Sequence, residues 1–286
     1  MLIRRICLSG GGVRIGGHSG ALEELESLNM LINVKEWMGV SAGALMSLCK
    51  VLGYTTKGIH ALCTEFDFEN VIDLDSGPGC LINFGIDTGE RLQRLINAVL
   101  HIKGFSSDIT FQELYEKTNK SLRVFATDLN DGIYIEFSHK LTPDYHVSLA
   151  TRASMSFPYY FQPVEDPLTG HLLSDGGIIN NYPLEILTDE ERHETLGILF
   201  LEQIKPLEEP TLQNLLMRPC QLLLAGRGKS LYNGYSKHTI CIRTKCYDSL
   251  KFNLSVEEKK QVIEEGKEAV KNYLKQYRKP VRRLSI

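Results

Sequence analysis

The chain has 286 residues, 43 % hydrophobic and 23 % charged, enough for one globular domain with a sizeable core. Its 32 basic and 35 acidic residues leave a formal charge of -3, so no field over the whole molecule favours nucleic acid. The seven cysteines are scattered and odd in number, which disfavours a disulfide framework or metal cluster and fits a reducing, cytoplasmic setting.

The opening MLIRRICLSGGG has too short an apolar part for a secretory signal, and no run approaches the roughly 20 apolar residues of a membrane span. LIRRICLSG reads as a first strand and GGVRIGG as a glycine-dense turn. From His18 the spacing of Ala21, Leu22, Leu25, Leu28 and Leu31 suits one face of a helix. VKEWMGV is a second strand running into Ser41, and ALMSLCKVLGY continues as a helix. This order implies an α/β unit with a mostly parallel central sheet flanked by helices. Residues 58–120 read as mostly helical, with loops at DSGPGCLINFG and KGFSSD. LRVFATDL and GIYIEF pair about a turn at Asn130, Asp131 and Gly132.

DYHVSLATRASMSFPYYFQPV reads as a helix followed by an aromatic, proline-broken loop, and HLLSDGGIINNYP as a strand delivering Asp175 into a tight turn. TLGILFL and HTICIRT are further strands, and LMRPCQLLLAG, interrupted by Pro219, reads as a buried helix. VEEKKQVIEEGKEAVKNYLKQY is an amphipathic helix with Val262, Ala269, Val270, Tyr273 and Leu274 inward. RKPVRRLSI, residues 278–286, is a short basic tail. The chain shows no repeat and no second domain, so residues 1–286 form a single unit.

The glycine run does not fit a nucleotide site. A dinucleotide fingerprint started at Gly10 and Gly12 meets Ile15 at its last glycine position, and one started at Gly11 meets Val13 at its third. No Gly-Lys-Ser/Thr follows, as a P-loop requires. Consecutive glycines instead let backbone N–H groups converge on one point, as an oxyanion hole needs, with Arg14 adding positive potential. Gly39-Val40-Ser41-Ala42-Gly43 has the spacing of a nucleophile elbow, in which small Gly39, Ala42 and Gly43 permit the sharp turn and the Ala42 N–H joins the oxyanion hole.

A serine nucleophile needs a proton acceptor. Of the eight histidines, only His193 and His238 follow Asp175 as a hydrolase triad would order them, and His18 alone begins the first helix. Structural roles account better for each. Asp175 ends a strand before Gly176 and Gly177, and becomes a competent base if a dry cleft raises its pKa from the ordinary value of about 3.9.

These motifs together resemble the patatin-like phospholipases. Gly10, Gly11, Gly12 and Arg14 match that family's oxyanion loop, Gly39 to Gly43 its elbow, and Asp175-Gly176-Gly177 its Asp-Gly-Gly motif. ATRASMSFPYYFQPV and SLKFNLSVEEKKQVIEEGKEAV are similar to two further family stretches, so the resemblance covers nearly the whole chain. It implies a three-layer fold related to but distinct from the α/β-hydrolase fold. It also implies a Ser41–Asp175 dyad without histidine, and hydrolysis of acyl esters in phospholipids or other lipids with no metal and no cofactor. One position departs: Ile15 stands where family members carry a glycine, which shifts the turn and leaves the individual N–H donors open.

A lipid substrate requires an apolar channel, for which Leu45, Phe157, Tyr159, Tyr160 and Phe161 are candidates. Peripheral membrane contact would fall to the aromatic loop or to Arg278, Lys279, Arg282 and Arg283 of the tail. The alternatives are an esterase with a histidine-containing triad and a catalytically silent lipid- or protein-binding module. Protein partners are left open.

Overall fold

The structure is a computed structural model that describes residues 2–73, 85–201, 203–204, 206–207, 211–245 and 250–277. The basic tail and the DSGPGCLINFG loop, apart from Gly85, lie outside the described residues. The strands are β1 (Arg5–Leu8), β2 (Glu36–Val40), β3 (Gly85–Asp87), β4 (Ser121–Asp128), β5 (Ile133–Ser138), β6 (Tyr159–Phe161), β7 (Val164–Glu165), β8 (Leu172–Asp175), β9 (Thr195–Phe200) and β10 (Thr239–Ile242). The helices are α1 (Gly16–Ser27), α2 (Ala42–Val51), α3 (Thr56–Glu65), α4 (Glu90–Ile102), α5 (Phe111–Thr118), α6 (Val147–Ser154), α7 (Gly177–Asn180), α8 (Asp189–His193), α9 (Leu212–Tyr235) and α10 (Val256–Tyr277).

Strands β10, β9, β1, β2 and β4 run parallel in that order. They read as continuous apolar runs because helices cover both faces of the sheet. Alternate residues feed two cores. Ile6, Leu8, Trp37, Ile198, Phe200 and Ile240 face the core that also holds Leu22, Leu48 and Ile263, from α1, α2 and α10. Cys7, Met38, Val40 and Leu199 face a smaller core with Tyr182, Leu184 and Leu231 of α9. This is the expected three-layer α/β architecture.

The far edge of β4 decides where the site falls. Strand β5 lies antiparallel along residues Arg123 to Asp128 of β4. On the opposite edge β2 pairs with the first part, ending at Val40 opposite Phe125. Strand β8 arrives antiparallel on that same edge and ends with Asp175 opposite Ala126. Two strands therefore meet end to end across adjacent positions of β4, their C-termini toward each other.

Three expectations need correction. A short parallel ladder, β3 with β6, sits in segments read as helix and loop, because three-residue strands carry no periodic signal. Helix α1 ends at Ser27, so Leu28 is exposed and Leu31 only partly buried. LMRPCQLLLAG does form a helix, and Pro219 is accommodated inside it, but it is not buried: Leu222 and Leu223 are 50 % and 70 % exposed. The inward set assigned to α10 is borne out, with Val262, Ala269, Val270 and Tyr273 buried and Leu274 at the margin.

Helices α1 and α10 approach closely enough that a Cβ on Gly20 would lie 1.9 Å from the Ile263 carbonyl oxygen. Gly20→Ala should therefore destabilise by about 2 kcal/mol and lower Tm by several degrees despite the better helix propensity of alanine. Gly226 of α9 meets nothing within 4 Å, so Gly226→Ala should leave Tm unchanged or raise it. Thermal unfolding followed by circular dichroism reads both.

Candidate active site

Ser41 occupies the one-residue joint between β2 and α2 with φ 53° and ψ -125°, a backbone region that side chains adopt only under constraint. The constraint is visible on both sides. A Cβ on Gly39 would lie 2.3 Å from the Gly43 carbonyl oxygen, and one on Gly43 would lie 2.5 Å from that of Leu8. Only glycines allow the strand and helix to fold back this tightly. The Ser41 N–H donates to Ser154 Oγ at 2.9 Å, which fastens the joint to the end of α6.

Asp175 reaches the same point from the other side. Its N–H donates to the Ser156 carbonyl at 2.9 Å, and Ser174 Oγ donates to that carbonyl at 2.7 Å. The segment from Ser154 to Ser156 thus anchors both residues. Arg152 holds that segment, donating from Nε to the Gly89 carbonyl at 3.1 Å and from its guanidinium to Ser156 Oγ. The Asp175 carboxylate accepts from the Gly177 N–H at 2.7 Å and lies beside the Ser41 side chain, which favours its ionised form. It is 2 % exposed. Burial lifts its pKa to about 7, against the opposing pull of the Gly177 N–H and the Ser41 side chain.

The glycine loop closes the third side. Gly12 has φ 57° and opens a short turn through Ile15. Arg14 is 1 % exposed and grips the Gly11 carbonyl twice, with its N–H at 3.2 Å and its Nε at 3.0 Å. The trans peptide then turns the Gly12 N–H the opposite way. One residue departs from its expected part. The Gly10 N–H donates to the Asn181 carbonyl at 3.2 Å, so Gly10 shapes the loop without supplying a donor. Arg14 braces the loop with its guanidinium over the Phe200 ring, 5.2 Å from its centroid. Ala42 and Gly43 begin α2, where backbone N–H groups have no intrahelical partner. Ile15 has φ -47° and ψ -28°, ordinary helical backbone, so no glycine is needed there.

Ser41 and Asp175 open into one cleft. Leu45, Leu92, Leu95, Phe157, Phe161 and Phe252 line it, as do Ile15 and Leu224. Tyr159 and Tyr160 do not join them. Tyr159 is 50 % exposed, and Tyr160 is buried with its ring stacked on Phe252.

No histidine lines the cleft among the described residues. His18 is fully buried, its Nε2–H donating to the Ser9 carbonyl at 2.8 Å, and burial pushes its pKa down to about 4. His193 and His238 face each other with ring centroids 5.6 Å apart, just before β9 and β10. That is the N-terminal edge of the parallel strands, about 16 Å of strand rise from the edge that carries Ser41.

Ser154, Ser156, Arg152 and Asn181 were not singled out from sequence. The run ATRASMS was visible only as small residues; the alternation of Ser154 and Ser156 around a single methionine was its signal.

A family model for patatin-like phospholipase matches residues 6–188. An uncharacterized protein of Bacillus subtilis is 28 % identical over 291 residues, which cover 94 % of this chain and 97 % of that protein. A probable lipid hydrolase of invertebrate iridescent virus 6 is 28 % identical over 186 residues, covering 64 % of this chain and 62 % of its own. The crystal structure of VipD from Legionella pneumophila aligns with a TM-score of 0.66 at 17 % identity, over 97 % of this chain and 67 % of that one.

The raised pKa has a consequence for stability. Between about 4 and about 7 the folded protein keeps a proton on Asp175 that the unfolded chain has released, so wild type loses stability as pH rises through that window. The loss, complete above the folded pKa, is on the order of a few kcal/mol. Asp175→Asn cannot titrate. Its Tm should exceed that of wild type at pH 8, and the gap should shrink toward pH 5. A gap of constant size across that range, by differential scanning fluorimetry, would contradict the assignment.

Proposed function

The chain belongs to the patatin-like phospholipase family, and on that premise we propose that it is a lipid acyl hydrolase that works through a Ser41–Asp175 dyad. The observation that carries this reading is the placement of the Ser41 side chain beside a buried carboxylate whose pKa it helps to set, both lining one apolar cleft.

Asp175 accepts the Ser41 proton while Oγ attacks the ester carbonyl carbon. The carbonyl oxygen becomes an oxyanion, held by the backbone N–H groups of Gly11, Gly12 and Ala42. As the tetrahedral intermediate collapses, the bond to the leaving oxygen breaks, and that oxygen takes the proton from Asp175. The alcohol, a lysolipid for a phospholipid substrate, departs and leaves Ser41 acylated. Water then gives a proton to Asp175 and attacks the acyl carbon, and the proton returns to Ser41 as the fatty acid leaves.

An unperturbed aspartate is too weak a base for this cycle near neutrality. A carboxyl that titrates near 7 combines basicity with a usable ionised fraction. The donors in the glycine loop and at the start of α2 are fixed before substrate arrives, so they need no reorganisation as charge develops. The apolar walls suit an acyl chain and keep water from the base. The placement of His18, His193 and His238 gives no support to a histidine-based triad.

A fluorophosphonate should label wild type, and Ser41→Ala should take up none; equal labelling of the two would remove Ser41 as nucleophile. Asp175→Asn should retain the fold and lose roughly a thousandfold in ester hydrolysis. Wild-type kcat/KM should climb roughly tenfold per pH unit below about 7 and level off above it, as the base becomes ionised. A flat profile from pH 5 to 8 would remove Asp175 as base. Ser154→Ala removes the acceptor of the Ser41 N–H and should lower kcat by roughly tenfold with KM little changed.

A further inference from the structure

The outward face of α9 carries an apolar stripe that the core does not require. Leu215, Leu216, Leu222 and Leu223 are 51, 44, 50 and 70 % exposed, and Pro219 stands exposed among them. At 100° per residue these five positions fall within an arc of about 120°. The inward face, with buried Met217 and Leu231, already secures the helix. Single exposed leucines are ordinary on any protein; four in one stripe mark a surface that something covers.

Three observations favour one occupant. The first is continuity with the cleft. Gly177 lines the cleft and is followed directly in the chain by Ile178 and Ile179, and Leu224, on the inward side of α9, lines it too. Helix α7 packs against α9 and presents Ile178 and Ile179, which are 41 % and 39 % exposed. The second is charge. From Thr211 to Tyr235 the chain carries Arg218, Arg227 and Lys229 and no acidic residue, with Arg227 ion-paired to Glu185 outside the helix. A second copy joined through this helix about a two-fold axis would bring like charges together; anionic headgroups would meet opposite ones. The third is form. No helix among the described residues is long and apolar enough to cross a membrane, whereas a helix with an apolar stripe flanked by cations suits the plane of a lipid interface.

We propose that the outer face of α9, with Ile178 and Ile179 beside the cleft residue Gly177, docks this protein on an anionic phospholipid surface. This rests on the lipid hydrolase reading above. Docked in this way, the protein draws an acyl chain from bilayer to cleft along apolar surface, so the chain is not passed through water. The surface differs from the aromatic loop and the basic tail, the two contacts the sequence suggested.

The test is vesicle flotation of the full chain in a Ser41→Ala background, so that no lipid is consumed. Vesicles of phosphatidylcholine with phosphatidylglycerol should bind it, less well at high salt, and phosphatidylcholine alone should bind it more weakly. Adding Leu222→Glu and Leu223→Glu should cut the bound fraction at least roughly tenfold. The same pair of changes with Ser41 intact should leave hydrolysis of a water-soluble short-chain ester unchanged, which reads folding and chemistry separately from docking. Trp37, the only tryptophan, is 3 % exposed, so Leu223→Trp gives a reporter at the stripe whose emission should shift to the blue when vesicles are added. Undiminished flotation of the double variant, or no spectral shift, overturns the proposal. So does a lipid-free wild type that is dimeric on size exclusion while the double variant is monomeric, because the stripe then belongs to a second copy. Normal flotation with no fluorophosphonate labelling of Ser41 would overturn the hydrolase reading and leave docking standing.

Discussion

The site depends on two strands meeting head to head along one edge of a third. Strand β4 is longer than either partner, so β2 and β8 share its edge and stop at adjacent positions, Phe125 and Ala126. Each stops with a side chain to deliver, Ser41 from one direction and Asp175 from the other. Neither is held by its own strand alone. The stretch from Ser154 to Ser156 takes the N–H of both, and Arg152 ties that stretch to the backbone at Gly89. A shift of one residue in either register would carry one partner to the other face of the sheet.

The same arrangement sets the chemistry. Because the strand ends are closed over by the glycine loop, the Asp175 carboxyl is dry, and dryness raises its pKa. A solvated aspartate at the same distance would be a far weaker base. The cost appears in two places: a strained backbone at Ser41 and a buried group that opposes folding as pH rises. Both are typical of sites arranged for reaction at the expense of stability. Burial acts on His18 in the opposite sense, keeping it neutral and bound to Ser9.

Apolar surface serves two ends. Most of it fills the two cores on either side of the sheet, where alternate strand residues divide between α1, α2 and α10 on one side and α9 on the other. The remainder lines the cleft or lies on the outside of α9. Composition alone does not separate these uses. A leucine run reads the same in sequence whether it faces a core, a substrate or a surface.

Much was legible in the chain itself. Residue spacing placed the parallel strands, the amphipathic helix α10, the elbow around Ser41 and the strand end at Asp175, because each rests on local geometry: period, turn chemistry and the smallness of glycine. The family resemblance paired the serine with the aspartate. Only the tertiary structure decided what lies between them, since strand order and register are long-range facts with no local trace. It placed Ser154 and Ser156 as shared anchors and turned Gly10 from a donor into part of the loop's bracing. It sent Tyr160 into the core and turned the leucines of α9 outward. Local sequence specifies which conformations a segment can take; which neighbour it meets, and what water is lost there, is decided by the packing of the whole chain.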